Sequence, residues 1–86
     1  MQWIVAYDIS SNKIRNRVSN ILIKYGYRIQ YSVFYIPEAS RKEIEDLKEI
    51  IKPLINPKTD RIFFYPIEEI TVFKGYPIQP WDIQIL

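Results

Sequence analysis

Residues 3–9 read WIVAYDI, and the predicted fold depends on this stretch. β-Branched and aromatic side chains dominate it, which is typical of a buried strand. Asp8 interrupts the apolar run, and an ionised carboxylate is costly to bury without a partner. Asp8 shares its strand face with Ile4 and Ala6, because alternate residues of a strand point the same way. It is therefore either a structural residue at the strand end or part of a functional site.

The segments that follow this strand show helix and strand patterns. Apolar residues at helical spacing predict a helix over about 12–25, which Gly26 ends in a left-handed conformation. Ser40 and Glu43 form a capping-box pattern that opens a second helix, which Pro53 ends or kinks near Lys52. Further strand patterns lie at 28–36, 61–67 and 69–73, and the last two predict an antiparallel hairpin.

The predicted fold class is α+β, a ferredoxin-like βαββαβ unit with an antiparallel four-stranded sheet and both helices on one face. The 86 residues indicate a single domain, 1–86. Residues 76–86 do not fit the four-stranded plan and predict a C-terminal arm with a fifth strand. Three strands are apolar on both faces, although the helices cover only one. A second copy of the chain, in a homodimer, is the simplest cover for the other face.

The composition limits the chemistry that this chain can perform. It has no cysteine and no histidine, which excludes thiol nucleophiles and the usual general base near neutral pH. Carboxylates and oxygen-ligated metal ions remain. The lack of cysteine fits a reducing compartment, and we expect a cytoplasmic protein. No apolar run approaches the roughly 20 residues of a membrane span, so no membrane partner is predicted.

Positive charge is concentrated in residues 1–37, where Asp8 is the only acid, and this asymmetry indicates a polyanionic partner such as nucleic acid. On a helical wheel, one flank of the first helix about 60° wide is polar and basic. Its members are Lys13, Arg17, Asn20 and Lys24. The flank is either a solvated helix face or a phosphate-binding surface. One Asp8 makes a poor magnesium site, but two near a dimer axis would hold one metal ion between them.

Four motifs together resemble the CRISPR-associated Cas2 family of adaptation proteins and endoribonucleases. They are AYDIS at 6–10, KIRNR at 13–17, KYGYR at 24–28 and QYSVF at 30–34, in the order and spacing of the family. DRIFFYPI at 60–67 resembles the third strand of the family. The resemblance implies small ferredoxin-like homodimers that bind Mg²⁺ and cleave RNA or double-stranded DNA. It also implies CRISPR integrase subunits as partners during spacer acquisition in antiviral defence.

Carried over to this sequence, the resemblance implies that Asp8 is the catalytic and metal-binding residue of a magnesium-dependent endonuclease. It also implies that Arg15, Arg17 and Arg28 bind the nucleic acid by neutralising its phosphates, and that Tyr7, Ser32 and Phe34 shape the cleft. Many members have another acid after the strand, where this chain has Ser10, Ser11 and Asn12.

Two alternatives remain beside the nuclease. They are a non-catalytic dimeric DNA-binding scaffold of the integrase complex and a toxin-type ribonuclease on the same fold.

Overall fold

The computed structural model describes residues 1–67. Its elements, in chain order, are β1 (Gln2–Asp8), α1 (Asn12–Leu22), β2 (Tyr27–Gln30), β3 (Val33–Ile36), α2 (Arg41–Ile51) with a 3-10 turn (Lys52–Leu54), and β4 (Arg61–Ile67). The predicted α+β class and βαββαβ order are confirmed, although β2 and β3 both lie largely within 28–36, the stretch predicted as a single strand. The predicted strand at 69–73 and the arm at 76–86 lie outside the described residues. Within residues 1–67, neither helix is long and apolar enough to cross a membrane.

The prediction of one strand over 28–36 is wrong, because the chain turns back at Tyr31 and Ser32. β2 and β3 pair antiparallel, with Tyr27 opposite Tyr35 and an irregularity between Arg28 and Gln30. Ser32 has a φ of 65°, in the left-handed region that glycine and asparagine occupy more easily. The turn lacks the Asn-Gly or Asp-Gly pair typical of two-residue hairpins, so the sequence pattern continues across it.

The four strands lie in the order β2-β3-β1-β4, and every neighbouring pair is antiparallel. Alternation along β1 divides its side chains between two faces. Trp3, Val5 and Tyr7 belong to the buried core, together with Ile9 and residues from both helices. That cluster contains Val18 and Leu22 of α1 and Ile44, Leu47 and Ile51 of α2. Both helices therefore cover one face of the sheet, as predicted.

The helix starts follow the predicted caps. Ser11 caps α1, and its side chain accepts a hydrogen bond from the Ile14 backbone. Ser40 and Glu43 form the predicted capping box at the start of α2, with both reciprocal hydrogen bonds present. α2 ends at Ile51, and Pro53 lies in the 3-10 turn that follows.

Gly26 is required for a reason that differs from the predicted left-handed helix end. Its φ lies outside the left-handed region. A Cβ atom at this position would lie 2.0 Å from the carbonyl oxygen of Tyr35 and 2.9 Å from the Cα of Ile36. Glycine is needed here because the chain entering β2 passes directly against the backbone of β3.

Candidate metal and nucleic-acid site

The sheet face opposite the helices, called the open face below, is largely apolar. Across the strands, Ile4 lies opposite Tyr35 on one side and Tyr65 on the other, and Ala6 lies opposite Phe63. Ile4 is only 1% exposed, whereas Phe63 and Tyr65 are 46% and 40% exposed. Part of the open face is thus already packed, and its large aromatic side chains remain accessible to a partner.

Tyr35 is the polar anchor of the open face. Its hydroxyl donates a 2.8 Å hydrogen bond to Oε1 of Gln2. Burial raises the pKa of the Tyr35 phenol, and the nearby Tyr27 raises it further. Tyr35 therefore remains a neutral donor at physiological pH, and its edge-on contact with the Tyr27 ring continues the aromatic surface.

Asp8 ends β1 on the open face, in line with Ile4 and Ala6 as predicted, and it is exposed. Arg61 is its cross-strand partner at the start of β4. Among residues 1–67, Asp8 forms no ion pair, because the three that exist involve Glu38, Asp46 and Glu45. Its carboxylate oxygens are therefore free for a ligand from solvent or from a partner chain.

The donor set fits a magnesium ion only in part. In the described part of the chain, no group of three or more His, Cys, Asp or Glu side chains could hold a metal. Magnesium, however, is commonly held by one or two carboxylates, with water and substrate phosphates completing its shell. Asp8 from each of two protomers meets that requirement, whereas Asp8 of one protomer supplies a single carboxylate.

Asp60, which no sequence pattern singled out, is hydrogen-bonded to the loop that follows Asp8. Its Oδ1 accepts hydrogen bonds from the Ser10 backbone, the Ser10 hydroxyl and the Thr59 hydroxyl, and its Oδ2 accepts one from the Asn56 backbone. The Asn56 hydrogen bond lowers the pKa of the Asp60 carboxyl below its ordinary value; burial opposes this, and the Ser10 and Thr59 bonds reinforce it. Asp60 therefore joins the loop after β1 to the loop before β4.

Asp60→Asn is expected to destabilise the protein at neutral pH. The N–H group of the new amide would face N–H and O–H groups that now donate hydrogen bonds to the carboxylate. Since the folded pKa of Asp60 lies below the unfolded value, its stabilisation is present above that value of about 3.8 and is lost as the pH falls through the folded pKa. Urea unfolding should therefore separate wild type and variant most at pH 7 and less below about pH 4. An equal separation at both pH values would contradict the ionised network.

Two of the arginines predicted to bind nucleic acid have partners within their own chain. Arg15 donates a 2.9 Å hydrogen bond to the Ile9 carbonyl and lies over the Tyr31 ring, 5.5 Å from its centroid. Arg28 donates to the Ser19 hydroxyl and lies over the Phe34 ring. Arg15 therefore ties α1 to the loop that follows Asp8, and Arg28 ties β2 to α1.

The predicted basic flank of α1 is a solvent-exposed surface. Lys13, Arg17 and Asn20 are exposed on the helix, and Lys24 is exposed in the turn after it. α1 starts four residues after Asp8. The flank thus begins a few residues after Asp8 in the sequence and runs along α1, in the layer that covers the other face of the sheet.

The family model for CRISPR-associated protein Cas2 matches residues 1–74. The chain belongs to the Cas2 family. Among its relatives, a protein of Chloroflexus aurantiacus named CRISPR-associated endoribonuclease Cas2 3 is 34% identical over 86 residues, which is 95% of this chain and 91% of the relative.

Solved structures agree with the family assignment. Streptococcus pyogenes Cas2 at pH 6.5 has a TM-score of 0.72 and 32% identity, covering 78% of this chain and 86% of that chain. A chain of a partial Cas6-RT-Cas1–Cas2 complex has a TM-score of 0.65 and 24% identity, covering 90% of this chain and 94% of that chain, and it shows the likeness of fold alone.

Of the other residues implied by the Cas2 resemblance, two lie on the helix face of the sheet and one lies in a turn. Tyr7 and Phe34 are buried on the helix face, where their rings stack with centroids 6.3 Å apart. Ser32 lies in the β2–β3 turn, and its carbonyl accepts a 3.0 Å hydrogen bond from the Tyr7 backbone. Within one protomer, Tyr7 and Phe34 thus support the strands that carry Asp8 from behind, and Ser32 holds the turn against β1.

Proposed function

We propose that this Cas2-family protein is a metal-dependent nuclease that hydrolyses phosphodiester bonds of RNA or double-stranded DNA, with Asp8 as its catalytic residue and Mg²⁺ as its metal ion. The position of Asp8 carries the proposal. It is an exposed carboxylate on the open face, without an ion pair among residues 1–67, beside loops that Asp60 and Arg15 fix. The name of the Chloroflexus aurantiacus relative, an endoribonuclease, supports the same activity.

The active form that we propose is a homodimer whose open faces pack together. The helices cover only one face of the sheet, while Phe63, Tyr65 and Tyr27 are exposed on the other. A surface of large aromatic side chains gains free energy when it is removed from water. Packing two copies about a two-fold axis brings the two Asp8 strand ends into one cleft, which doubles the number of carboxylates.

We assign a separate role to each group of side chains in and around this cleft. The two Asp8 carboxylates would hold the metal ion, and the flank residues Lys13, Arg17 and Lys24 on α1 would bind phosphates of the nucleic acid outside the cleft. Mg²⁺, when bound, neutralises charge on the phosphate and lowers the pKa of a water molecule. Asp60 accepts four hydrogen bonds and is thereby occupied as a structural acceptor, so the proposal assigns it no proton transfer.

The direct test incubates the purified protein with end-labelled single-stranded RNA and with duplex DNA, in Mg²⁺ and in EDTA. We expect internal cleavage of at least one substrate in Mg²⁺ and none in EDTA. Protein that cleaves neither substrate over a range of Mg²⁺ concentrations and pH would contradict the nuclease proposal.

Tyr65→Glu should convert the dimer to a monomer, because it places a charge opposite Ile4 in the middle of the open face. Sedimentation velocity at micromolar concentration measures the change. Ile50→Glu is the matched control, since Ile50 is also an exposed apolar residue but lies on α2, on the opposite layer. A monomeric wild type, or a Tyr65→Glu protein that sediments as wild type, would contradict packing through the open face.

A second function, that of a non-catalytic DNA-binding scaffold for CRISPR integrase subunits, is favoured by one observation. Asp8 is the only acid on the described strands of the sheet. A scaffold needs only the dimer and the basic flank, so it predicts duplex binding that is unaffected by EDTA and no cleavage. A chain of the partial Cas6-RT-Cas1–Cas2 complex shares this fold, which is compatible with this role.

A further inference from the structure

Arg61 and Asp8 face each other across two neighbouring strands. The register of β1 and β4 pairs them directly, two residues beyond the pair Ala6 and Phe63. Side chains of directly opposed residues on antiparallel strands lie on the same face, with Cβ atoms about 4.5–5.5 Å apart. Both side chains are exposed. An arginine thus stands beside the proposed catalytic carboxylate on the open face.

The guanidinium group of Arg61 has no acidic partner among residues 1–67, since their three ion pairs involve the chain N-terminus, Lys42 and Lys48. Arg15 and Arg28, in contrast, each donate a hydrogen bond within the chain and lie over an aromatic ring. Arg61 lies next to the Asp8 carboxylate, and its N–H groups have no acidic partner among residues 1–67, so it is suited to bind an anionic ligand. Its planar group binds phosphate oxygens in a bidentate manner.

The backbone that carries Arg61 is fixed by its neighbour. Asp60 precedes Arg61 and ties the start of β4 to Ser10, two residues after Asp8. The two strand ends that carry Asp8 and Arg61 are therefore held together by both the strand pairing and the Asp60 hydrogen bonds. Little conformational freedom of the backbone has to be lost when a ligand binds between them, which favours binding.

We propose that Arg61 is a phosphate-binding residue of the Asp8 site and contacts the nucleic-acid backbone beside the phosphate that is cleaved. The inference rests on the proposed nuclease function and extends it to a residue outside the basic flank of α1. Arg61 is also a positive charge next to the metal-binding carboxylate. It therefore strengthens phosphate binding and weakens divalent-cation binding, two effects of opposite sign.

The test measures nucleic-acid affinity without metal, by fluorescence anisotropy of labelled duplex DNA and single-stranded RNA in EDTA. Arg61→Ala is expected to weaken binding about tenfold at 0.1 M salt, and the slope of log affinity against log salt should fall by about 0.9 for each phosphate that the variant no longer binds. Arg61→Lys retains the charge and should recover most of the slope but less of the affinity. Arg41→Ala is the control, because Arg41 lies over Trp3 on α2, at the far end of the sheet.

A second measurement uses metal affinity, which should rise in Arg61→Ala whereas nucleic-acid affinity should fall. Titration of the folded protein with Mn²⁺ should show binding about three- to tenfold tighter in Arg61→Ala than in wild type, because a neighbouring positive charge has been removed. If Arg61→Ala only disturbed the fold, the variant would bind both nucleic acid and Mn²⁺ more weakly than wild type. Wild-type affinity and salt slope in Arg61→Ala on both nucleic acids would overturn the proposal.

These outcomes are separable from the fate of the nuclease proposal. If Asp8→Asn cleaves as wild type while Arg61→Ala binds nucleic acid weakly, the nuclease assignment to Asp8 fails and the phosphate-binding role of Arg61 stands. If Asp8→Asn is inactive while Arg61→Ala binds nucleic acid with wild-type affinity, the phosphate-binding role of Arg61 fails and the nuclease assignment to Asp8 stands.

Discussion

Asp8→Asn is expected to reduce cleavage of RNA and duplex DNA about a hundredfold or more, the scale seen when one charge-stabilising group is removed from an active site. The substitution keeps the shape of the side chain but removes two negative charges from each dimer at a site for a hard cation. Asp8 is exposed and has no ion pair in residues 1–67, so the free energy of unfolding should change little. Initial cleavage rates in Mg²⁺ measure the effect.

Dimerisation and nucleic-acid affinity of Asp8→Asn serve as controls for its folding and binding. Two carboxylates in one cleft repel each other and the phosphate backbone, so their removal should leave the dimer intact and nucleic-acid affinity equal or higher. Arg41→Ala, far from the site, should cleave as wild type. A folded, dimeric Asp8→Asn protein with the wild-type cleavage rate would refute the catalytic role of Asp8.

Gly26→Ala is expected to have the largest effect on stability. The new Cβ atom would lie 2.0 Å from the Tyr35 carbonyl oxygen, which is backbone and can move only if β2 separates from β3. A clash of this kind belongs to the small class of substitutions that cost more than about 4 kcal/mol. Since domains are typically stable by only about 5–15 kcal/mol, we expect a large fall in the thermal midpoint or failure to fold.

Ile23→Ala is the matched control for Gly26→Ala. Ile23 lies three residues earlier in the same turn region and is 64% exposed, so loss of its side chain should change stability by less than about 0.5 kcal/mol. Thermal unfolding followed by far-ultraviolet circular dichroism compares the two variants. A Gly26→Ala protein with the midpoint of the Ile23→Ala protein would show that β2 and β3 do not approach as closely as the structure places them.

Much of the fold is predictable because local chemistry determines it. Ser40 and Glu43 define the start of α2 through hydrogen bonds three residues apart, and Gly26 marks the end of the α1 region although its role is steric. The split of 28–36 into two strands is not predictable in this way. Tyr31 and Ser32 lack the glycine or asparagine that favours a positive φ in a tight hairpin, and the turn follows from the pairing of β3 with β1 and with β2.

The candidate site is predictable where it depends on one strand and unpredictable where it depends on two. The face of Asp8 follows from alternation along β1 alone. The four hydrogen bonds of Asp60 include two from Ser10, 50 positions away, and the position of Arg61 opposite Asp8 follows from the β1–β4 register. DRIFFYPI marks a strand, but no local pattern in it specifies which residue of β1 lies opposite Arg61.

The most direct test of the central claim is the number of divalent metal ions that the dimer binds through Asp8. Mn²⁺ titration followed by electron paramagnetic resonance counts bound ions per chain in wild type and in Asp8→Asn, with dimerisation verified for both. Two Asp8 carboxylates that share one ion predict one Mn²⁺ for every two chains in wild type and none at that site in Asp8→Asn. One ion for each chain, or equal binding by both proteins, would contradict the shared site.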